Sequence, residues 1–292
     1  MKYNISWWNL ENLLLPQTAK RSSKLKKRHK KTLKYWTDER YQQKLYNLAQ
    51  VICQFHQHQG PDILAIGEVD SAEAMHDLSQ QLANLGLYYH SHLADSADPR
   101  RMHVGVLYRP ELFSITQQES LFVPASKKTR DILNIQFQTL QGDLLHLLIN
   151  HWPSKRNNPS DRIKAAHCLK TALSHCTEPA LIVGDFNTQP SDALFKDLVT
   201  DCELTPLFHL PAEPTYFHHS PTGTTPISLD FAFTSKEFSN NPHWQASTLT
   251  IEKQHQNTLE RPQAFMQSNL KEFNDDGASD HFAISLTLNK TS

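Results

Sequence analysis

The chain has 292 residues, 38% of them hydrophobic and 9% aromatic, with a net charge of −1. This suits a soluble globular protein with a sizeable core, and no stretch approaches the roughly 18 apolar residues of a membrane helix. The opening "MKYNISWWNLENLLLP" is interrupted by Asn4, Ser6 and Asn9, which excludes a signal-peptide reading; the cytoplasm is the expected location, with no membrane partner.

Cys53, Cys168, Cys176 and Cys202 form no CxxC pair and no zinc spacing, so they read as reduced, buried small hydrophobes. Most of the 17 histidines sit in polar stretches and read as surface residues. Between Lys20 and Lys34 the chain carries nine Lys or Arg and no acid. That block reads as a solvated, mobile insertion at about 16–37, and blocks of this kind contact polyanions.

In chain order, Lys2 to Trp8 alternates as a strand, with Tyr3, Ile5 and Trp7 on one face. A helix follows from Asp38, read as its N-cap, with Tyr41, Leu45, Leu48, Ile52 and Phe55 at helical spacing, and Gly60-Pro61 ends it. "DILAIGEV" is a buried strand, and "SAEAMHDLSQQLANLG" a helix closed by Gly86. Strands are expected at Val104–Tyr108, Ile132–Phe137 and Leu144–Ile149, then a helix over 161–175 with Ile163, Ala166, Leu169 and Leu173 as its stripe. "ALIVGDFN", Leu229–Phe233, Thr248–Ile251 and Phe282–Leu288 supply the late strands. Leu207 to Pro226 and Glu252 to Asp280 read as long loops, the second with a weak helical patch at its centre. No repeat or linker divides the chain, which predicts a single α/β domain over 1–292 with helices on the outer faces of its sheets.

The apolar strands share one habit. "ISWWNLEN" ends in Asn9 and Glu11, "ILAIGEV" in Glu68, "LLINHW" in Asn150 and His151, and "LIVGDFN" in Asp185 and Asn187; "SDHFAISL" opens with Asp280 and His281. Five polar boundaries drawn from Asn, Asp, Glu and His point to one shared site. Carboxylates and amide oxygens are hard ligands that suit Mg²⁺ or Mn²⁺. An acid beside an amide can orient an attacking water, and two histidines can supply a proton donor, a base or positive charge. Metal-assisted phosphoester hydrolysis uses all of these.

The stretches "WNLENLL", "PDILAIGEV", "TRDIL", "NHWPSKR", "GDFNTQP", "SLDFAF" and "SDH", in this order, resemble the endonuclease/exonuclease/phosphatase superfamily of DNase I-like enzymes, in a bacterial branch. The resemblance implies a four-layer α/β/β/α sandwich with the site at one end of the packed sheets. It makes Asn9, Glu68 and Asp280 metal ligands, and gives Glu11 a packing or supporting part. Asp185 and Asn187 match the pair that aligns water, His281 a phosphate contact or base, and Asp230 the acid that orients it. His151 matches a proton donor or phosphate contact. Arg130 and Asn150 are the expected phosphate-side residues, with Asn150 also read as holding the loop that positions His151. One departure stands out: related sequences read close to "RGIDVALLYR" where this chain has "RRMHVGVLYR". Met102 and His103 replace a glycine and an acid that can support the catalytic histidine, so the support of His151 is open, with His103 as the stand-in. The expected function is a Mg²⁺- or Mn²⁺-dependent phosphoesterase, foremost a DNA nuclease. A phosphatase or phosphodiesterase on a small-molecule, RNA or lipid phosphate is the alternative, and a non-catalytic nucleic-acid-binding module the reading of another class.

Overall fold

The computed structural model describes residues 1–94, 96–266 and 273–291. One sheet holds β1 (Lys2–Leu13), β2 (Ile63–Val69), β3 (His90–Leu93), β4 (His103–Tyr108), β13 (Trp244–Ala246), β14 (Thr250–Glu252) and β15 (Ala283–Lys290). Its order is β13-β15-β1-β2-β4-β3, with β14 also on β15. The other holds β5 (Phe113–Leu121), β6 (Ile132–Thr139), β7 (Leu144–His151), β8 (Ala180–Asp185), β9 (Thr205–Pro206) and β12 (Asp230–Thr234), in the order β5-β6-β7-β8-β12-β9. β10 (Tyr216–Ser220) and β11 (Gly223–Ile227) form a separate hairpin.

Each sheet is built around one parallel pair, β1 with β2 and β7 with β8, and their other neighbours run antiparallel. A parallel pair needs a crossover. α3 (Asp38–Ile52) lies on the first crossover and α6 (Pro159–Ser174) on the second. α5 (Ala72–Ala83) joins α3 on one outer face, and α7 (Ala193–Asp201) joins α6 on the other. Three apolar clusters fill the layers. Trp8, Leu64 and Ile66 pack under Leu45, Leu48, Met75 and Leu78. Trp7, Ala65, Val106, Ile135, Leu147 and Val183 fill the space between the sheets, and Leu148, Ile182 and Phe231 pack under Leu169 and Phe195. This is the expected four-layer α/β/β/α sandwich.

Local departures have local reasons. Thr37, not Asp38, caps α3, its hydroxyl accepting the Arg40 N–H; Asp38 opens the helix, where its charge favours the positive end of the dipole. The helix stops at Ile52, and α4 (Phe55–His58) is a single turn in which His56 and Gln57 take left-handed φ. The basic block is folded: α1 (Ser23–Arg28) and α2 (Lys30–Leu33) turn Leu25, His29 and Leu33 inward. On α6, Ile163 is 57% exposed, and Asp161 and Ala165 take the inner face with Leu169. Only Cys176 of the cysteines is buried. The expected loop over 207–226 holds the β10–β11 hairpin, a polar pair with a solvated face. The weak helical patch expected near 266 falls largely on 267–272, outside the described residues. The edge strands β3 and β5, α7 and α8 (Lys236–Asn240) were not legible from periodicity. No helix of the described residues is long and apolar enough to cross a membrane.

Gly184 marks the tightest approach of β8 to β7. A Cβ there would collide with the backbone of Asn150, its register partner. Gly184→Ala should therefore lower unfolding free energy by upward of about 2 kcal/mol. Urea denaturation followed by far-UV circular dichroism checks this, and an unchanged midpoint would contradict it.

Candidate active site

Side chains on a strand alternate between faces, and here the rows that face the opposite sheet each finish in a polar group. In β1 the row Tyr3, Ile5, Trp7 continues to Asn9; in β7 Leu145, Leu147, Ile149 continues to His151; in β8 Leu181, Val183 continues to Asp185. β12 runs the other way, so Asp230 precedes Ala232 on its row. Register sets His151, Asp185 and Asp230 side by side across three strands. In β2 the matching position is Gly67, opposite Asn9, where a Cβ would press on the Trp7 ring and His151 Nδ1. Glu68 then takes φ 64, leaving the strand alternation. It precedes the Ser71 cap of α5 and is not that helix's N-terminal acid. A cleft of about 640 Å³ at this end is lined by Asn9, Glu68, Arg130, His151, Asp185, Asn187, Asp280 and His281.

Asp230 lies behind the cleft with its carboxylate fully engaged. Oδ1 accepts Trp7 Nε1–H at 2.7 Å, and Oδ2 accepts Thr215 Oγ1–H at 2.6 Å and His281 Nδ1–H at 2.8 Å. Burial alone would lower the His281 pKa, but the charge and hydrogen bond of Asp230, with Asp280 and Asp185 adding, raise it to about 10. His281 is therefore an imidazolium at neutral pH. His151 is the opposite case: burial, reinforced by Arg130, Arg100 and His281, holds its pKa well below the usual histidine value, so its ring is neutral. Its Nε2 lies 3.5 Å from Asp185 Oδ2 and 3.8 Å from Glu68 Oε1. Burial, with the charge of Asp230, raises Asp185 above the usual carboxylate range. Asp185 Oδ1 accepts the Asn187 N–H at 2.9 Å, and Asn187 Nδ2 donates to the Trp152 carbonyl at 3.0 Å. That donation fixes which face of the amide looks into the cleft.

Two groupings offer donors to a cation. Asp185, Asp230 and His281 bring one atom each within 4.8 Å of one another, but Asp230 is committed to three hydrogen bonds and His281 spends Nδ1 on it. Asn9, Glu68 and Asp280 are hard oxygen donors on the cleft wall. Glu68 Oε2 accepts the Asn12 N–H at 2.9 Å, which leaves Oε1 toward the cleft. Burial raises the Asp280 pKa, and the nearby charge of Glu68 adds to it. Two carboxylates that repel each other in a desolvated place fit a divalent ion. Glu11 stands outside this set: it pairs with the fully buried Lys44 at 3.3 Å and accepts the N–H groups of Phe265 and Met266.

Arg130 is buried at the cleft, donating from Nη2 to the Trp152 carbonyl at 3.2 Å, with its Nε unpartnered. Asn150 corrects its phosphate-side expectation and takes the structural place that was the other reading of it. It is fully buried, gives Nδ2 to the Leu148 and Val183 carbonyls and accepts Trp152 Nε1–H at 3.0 Å. It braces the β7 end and does not line the cleft. His103 is turned to Ser96, whose Oγ lies 3.0 Å from Nδ1, while His151 Nδ1 has no hydrogen-bond partner among the described residues. Three partners escaped sequence reading: Trp7 and Thr215, which hold Asp230, and Tyr216, stacked 4.8 Å from the His281 ring. Trp7 looked like core and is core; its indole N–H carries no sequence signal.

Three solved structures share this fold at low identity. D. rerio TDP2 complexed with single strand DNA product is 15% identical, with a TM-score of 0.66 and 99% of each chain covered. An endonuclease/exonuclease/phosphatase family protein from Bacteroides thetaiotaomicron is 15% identical, with a TM-score of 0.65, covering 100% of this chain and 99% of that one. The mannosyl-6-phosphatase of Bacteroides thetaiotaomicron VPI-5482 is 15% identical, with a TM-score of 0.63 and 98% and 99% covered. The sequence model of the Endonuclease/Exonuclease/phosphatase family matches residues 4–203. No curated protein matches significantly.

The floor beneath His281 titrates in a readable way. The His281 carbonyl accepts Trp8 Nε1–H at 2.8 Å and bonds His255 Nε2 at 3.0 Å. Burial lowers the His255 pKa to about 4. The unfolded chain therefore binds a proton that the folded one refuses, and this part of stability is lost as pH falls from about 6.5 through 4. His255→Gln keeps an N–H donor without the titration. Relative to it, the wild type should lose about 3 kcal/mol between pH 7 and pH 4; chemical denaturation of both proteins across that window checks this, and parallel curves would refute it.

Proposed function

The chain belongs to the endonuclease/exonuclease/phosphatase family, and on that premise we propose a Mg²⁺- or Mn²⁺-dependent phosphoesterase that cuts phosphodiester bonds in DNA. Asn9, Glu68 and Asp280 would hold the ion, which when bound supplies charge on a phosphoryl oxygen and on the leaving oxyanion. Asp185, with its raised pKa, takes a proton from an attacking water that Asn187 helps to orient. His281, kept cationic by Asp230, faces the negative charge that builds on the phosphoryl oxygens. Neutral His151 donates through Nε2–H, and Arg130 lends its buried positive charge to the phosphate. Asp230 touches no substrate; it positions His281.

The observation that carries the substrate class is the charge of the cleft wall. Arg28, Arg100, Lys127, Lys128, Arg130, Lys155 and Arg156 surround the site. A phosphodiester backbone supplies one anion per nucleotide and matches such a wall. Of the basic block, only Arg28 is among these lining residues, so the wall is assembled chiefly from three other loops. The likeness to a DNA-product complex of TDP2 supports nucleic acid, while the likeness to a mannosyl-6-phosphatase keeps a small phosphomonoester as the second reading.

Activity on plasmid DNA should require Mg²⁺ or Mn²⁺ and vanish in EDTA. Single-stranded DNA, RNA and sugar phosphates in the same assay separate the two readings, and hydrolysis that persists after exhaustive chelation would falsify the metal mechanism. His151→Ala, Asp185→Ala and His281→Ala should each lower kcat by about 100-fold or more, on the usual scale of acid–base and electrostatic groups. Asp230→Asn should be a weaker form of the His281 change. Thermal midpoints of the three alanine variants separate lost chemistry from lost folding: variants that are inactive because they unfold contradict these roles.

A further inference from the structure

Two of the cationic loops on the cleft wall are held by neighbouring residues of one helical turn. Asp161, 1% exposed, accepts the Ser126 N–H at 2.6 Å on Oδ1 and the Ser126 hydroxyl at 2.7 Å on Oδ2. Arg162 donates from Nη1 to the Ser154 carbonyl at 3.2 Å. Ser126 heads the loop that brings Lys127, Lys128 and Arg130 to the cleft, and Ser154 heads the one that brings Lys155 and Arg156. The turn itself is well anchored. Asn158 caps α6 by accepting the Ser160 N–H at 3.0 Å, and Pro159 pre-sets the first helical residue.

Lys127, Lys128, Lys155 and Arg156 are exposed, and ordering exposed, rotamer-rich chains costs entropy at the moment of binding. A two-pronged carboxylate grip on the head of one loop, and a guanidinium grip on the other, fix the backbone from which those chains extend, so only the side chains remain to be ordered. Asp161 repels phosphate, and Arg162 is turned to the Ser154 carbonyl and is not among the residues that line the cleft. Their effect runs through the loops.

We propose that Asp161 and Arg162 are positioning residues that bracket both loops into one arm, along which a backbone of consecutive phosphates runs away from the scissile one. The proposal rests on the phosphoesterase reading and adds to it the residues that set how the cationic loops meet a polymeric anion. Ser126 is part of the same device, because its hydroxyl fills one prong of the grip.

The test uses the full chain and four variants: Ser126→Ala, Ser126→Thr, Asp161→Asn and Arg162→Gln. Binding of a short labelled DNA duplex is measured across a salt series, and turnover of bis-p-nitrophenyl phosphate with Mg²⁺ or Mn²⁺ reports the centre alone. Asp161→Asn and Arg162→Gln should raise KM for duplex and flatten the plot of log Kd against log salt by about 1 to 2, since each phosphate contact contributes about 0.9. Small-diester kcat should stay within about twofold, as expected where only substrate binding is lost. Ser126→Thr keeps the hydroxyl and should bind as wild type, whereas Ser126→Ala should not; this pair carries the test if Asp161→Asn fails to fold. An unchanged salt slope and KM in folded variants overturns the bracket, and so does a parallel loss on the small diester. A wild type that hydrolyses no diester overturns the phosphodiesterase reading instead, and the salt slopes then judge the bracket by themselves.

Discussion

One buried carboxylate, Asp230, on the second sheet, ties three other parts of the molecule together at a single point. Trp7 reaches it from the middle of the first sheet, Thr215 from the foot of the β10–β11 hairpin, and His281 from the lead into β15. A desolvated acid with fewer partners would be costly, so its three donors must all be in place when the sheets close. That requirement couples the inter-sheet core to the cleft. The same contacts that satisfy Asp230 set the position and charge of His281.

The two histidines show how environment divides one residue type into two roles. Both are buried, and burial alone disfavours the charged ring of each. His281 has a carboxylate at hydrogen-bond distance and becomes a cation. His151 lies farther from Asp185 and Glu68, feels Arg130 and Arg100, and stays neutral. Groups pushed apart in this way can serve as electrostatic stabiliser and hydrogen-bond donor in the same cleft. Among the described residues His151 Nδ1 has no hydrogen-bond partner, and Gly67, whose Cβ would lie 3.2 Å from it, offers no side chain there.

On the proposed function, chemistry and substrate choice fall to different layers of this architecture. The reacting groups belong to strand ends and the short turns that follow them, and are fixed by sheet register. The cations belong to loops that leave those strands, and are fixed by side-chain grips such as Asp161 on Ser126.

The buried strands β1, β2, β6, β7 and β8 and the helices α3, α5 and α6 were legible because burial leaves a pattern: near-continuous apolar runs in strands covered on both faces, and a period of 3.6 in helices covered on one. The polar residues at the strand ends were legible for the same reason, as interruptions of those runs. β3, β5 and the β10–β11 hairpin were not, since exposed strands are held by backbone pairing, which places little demand on side-chain type. The sequence by itself determined the layered class and the identity of most groups at the cleft. It could not determine that Asn150 turns away into the β7 brace, that Lys44 is buried against Glu11, or that Trp7 satisfies Asp230. Those facts depend on which face each strand presents and which residues distant in the chain arrive beside it, and only the closed tertiary structure decides that.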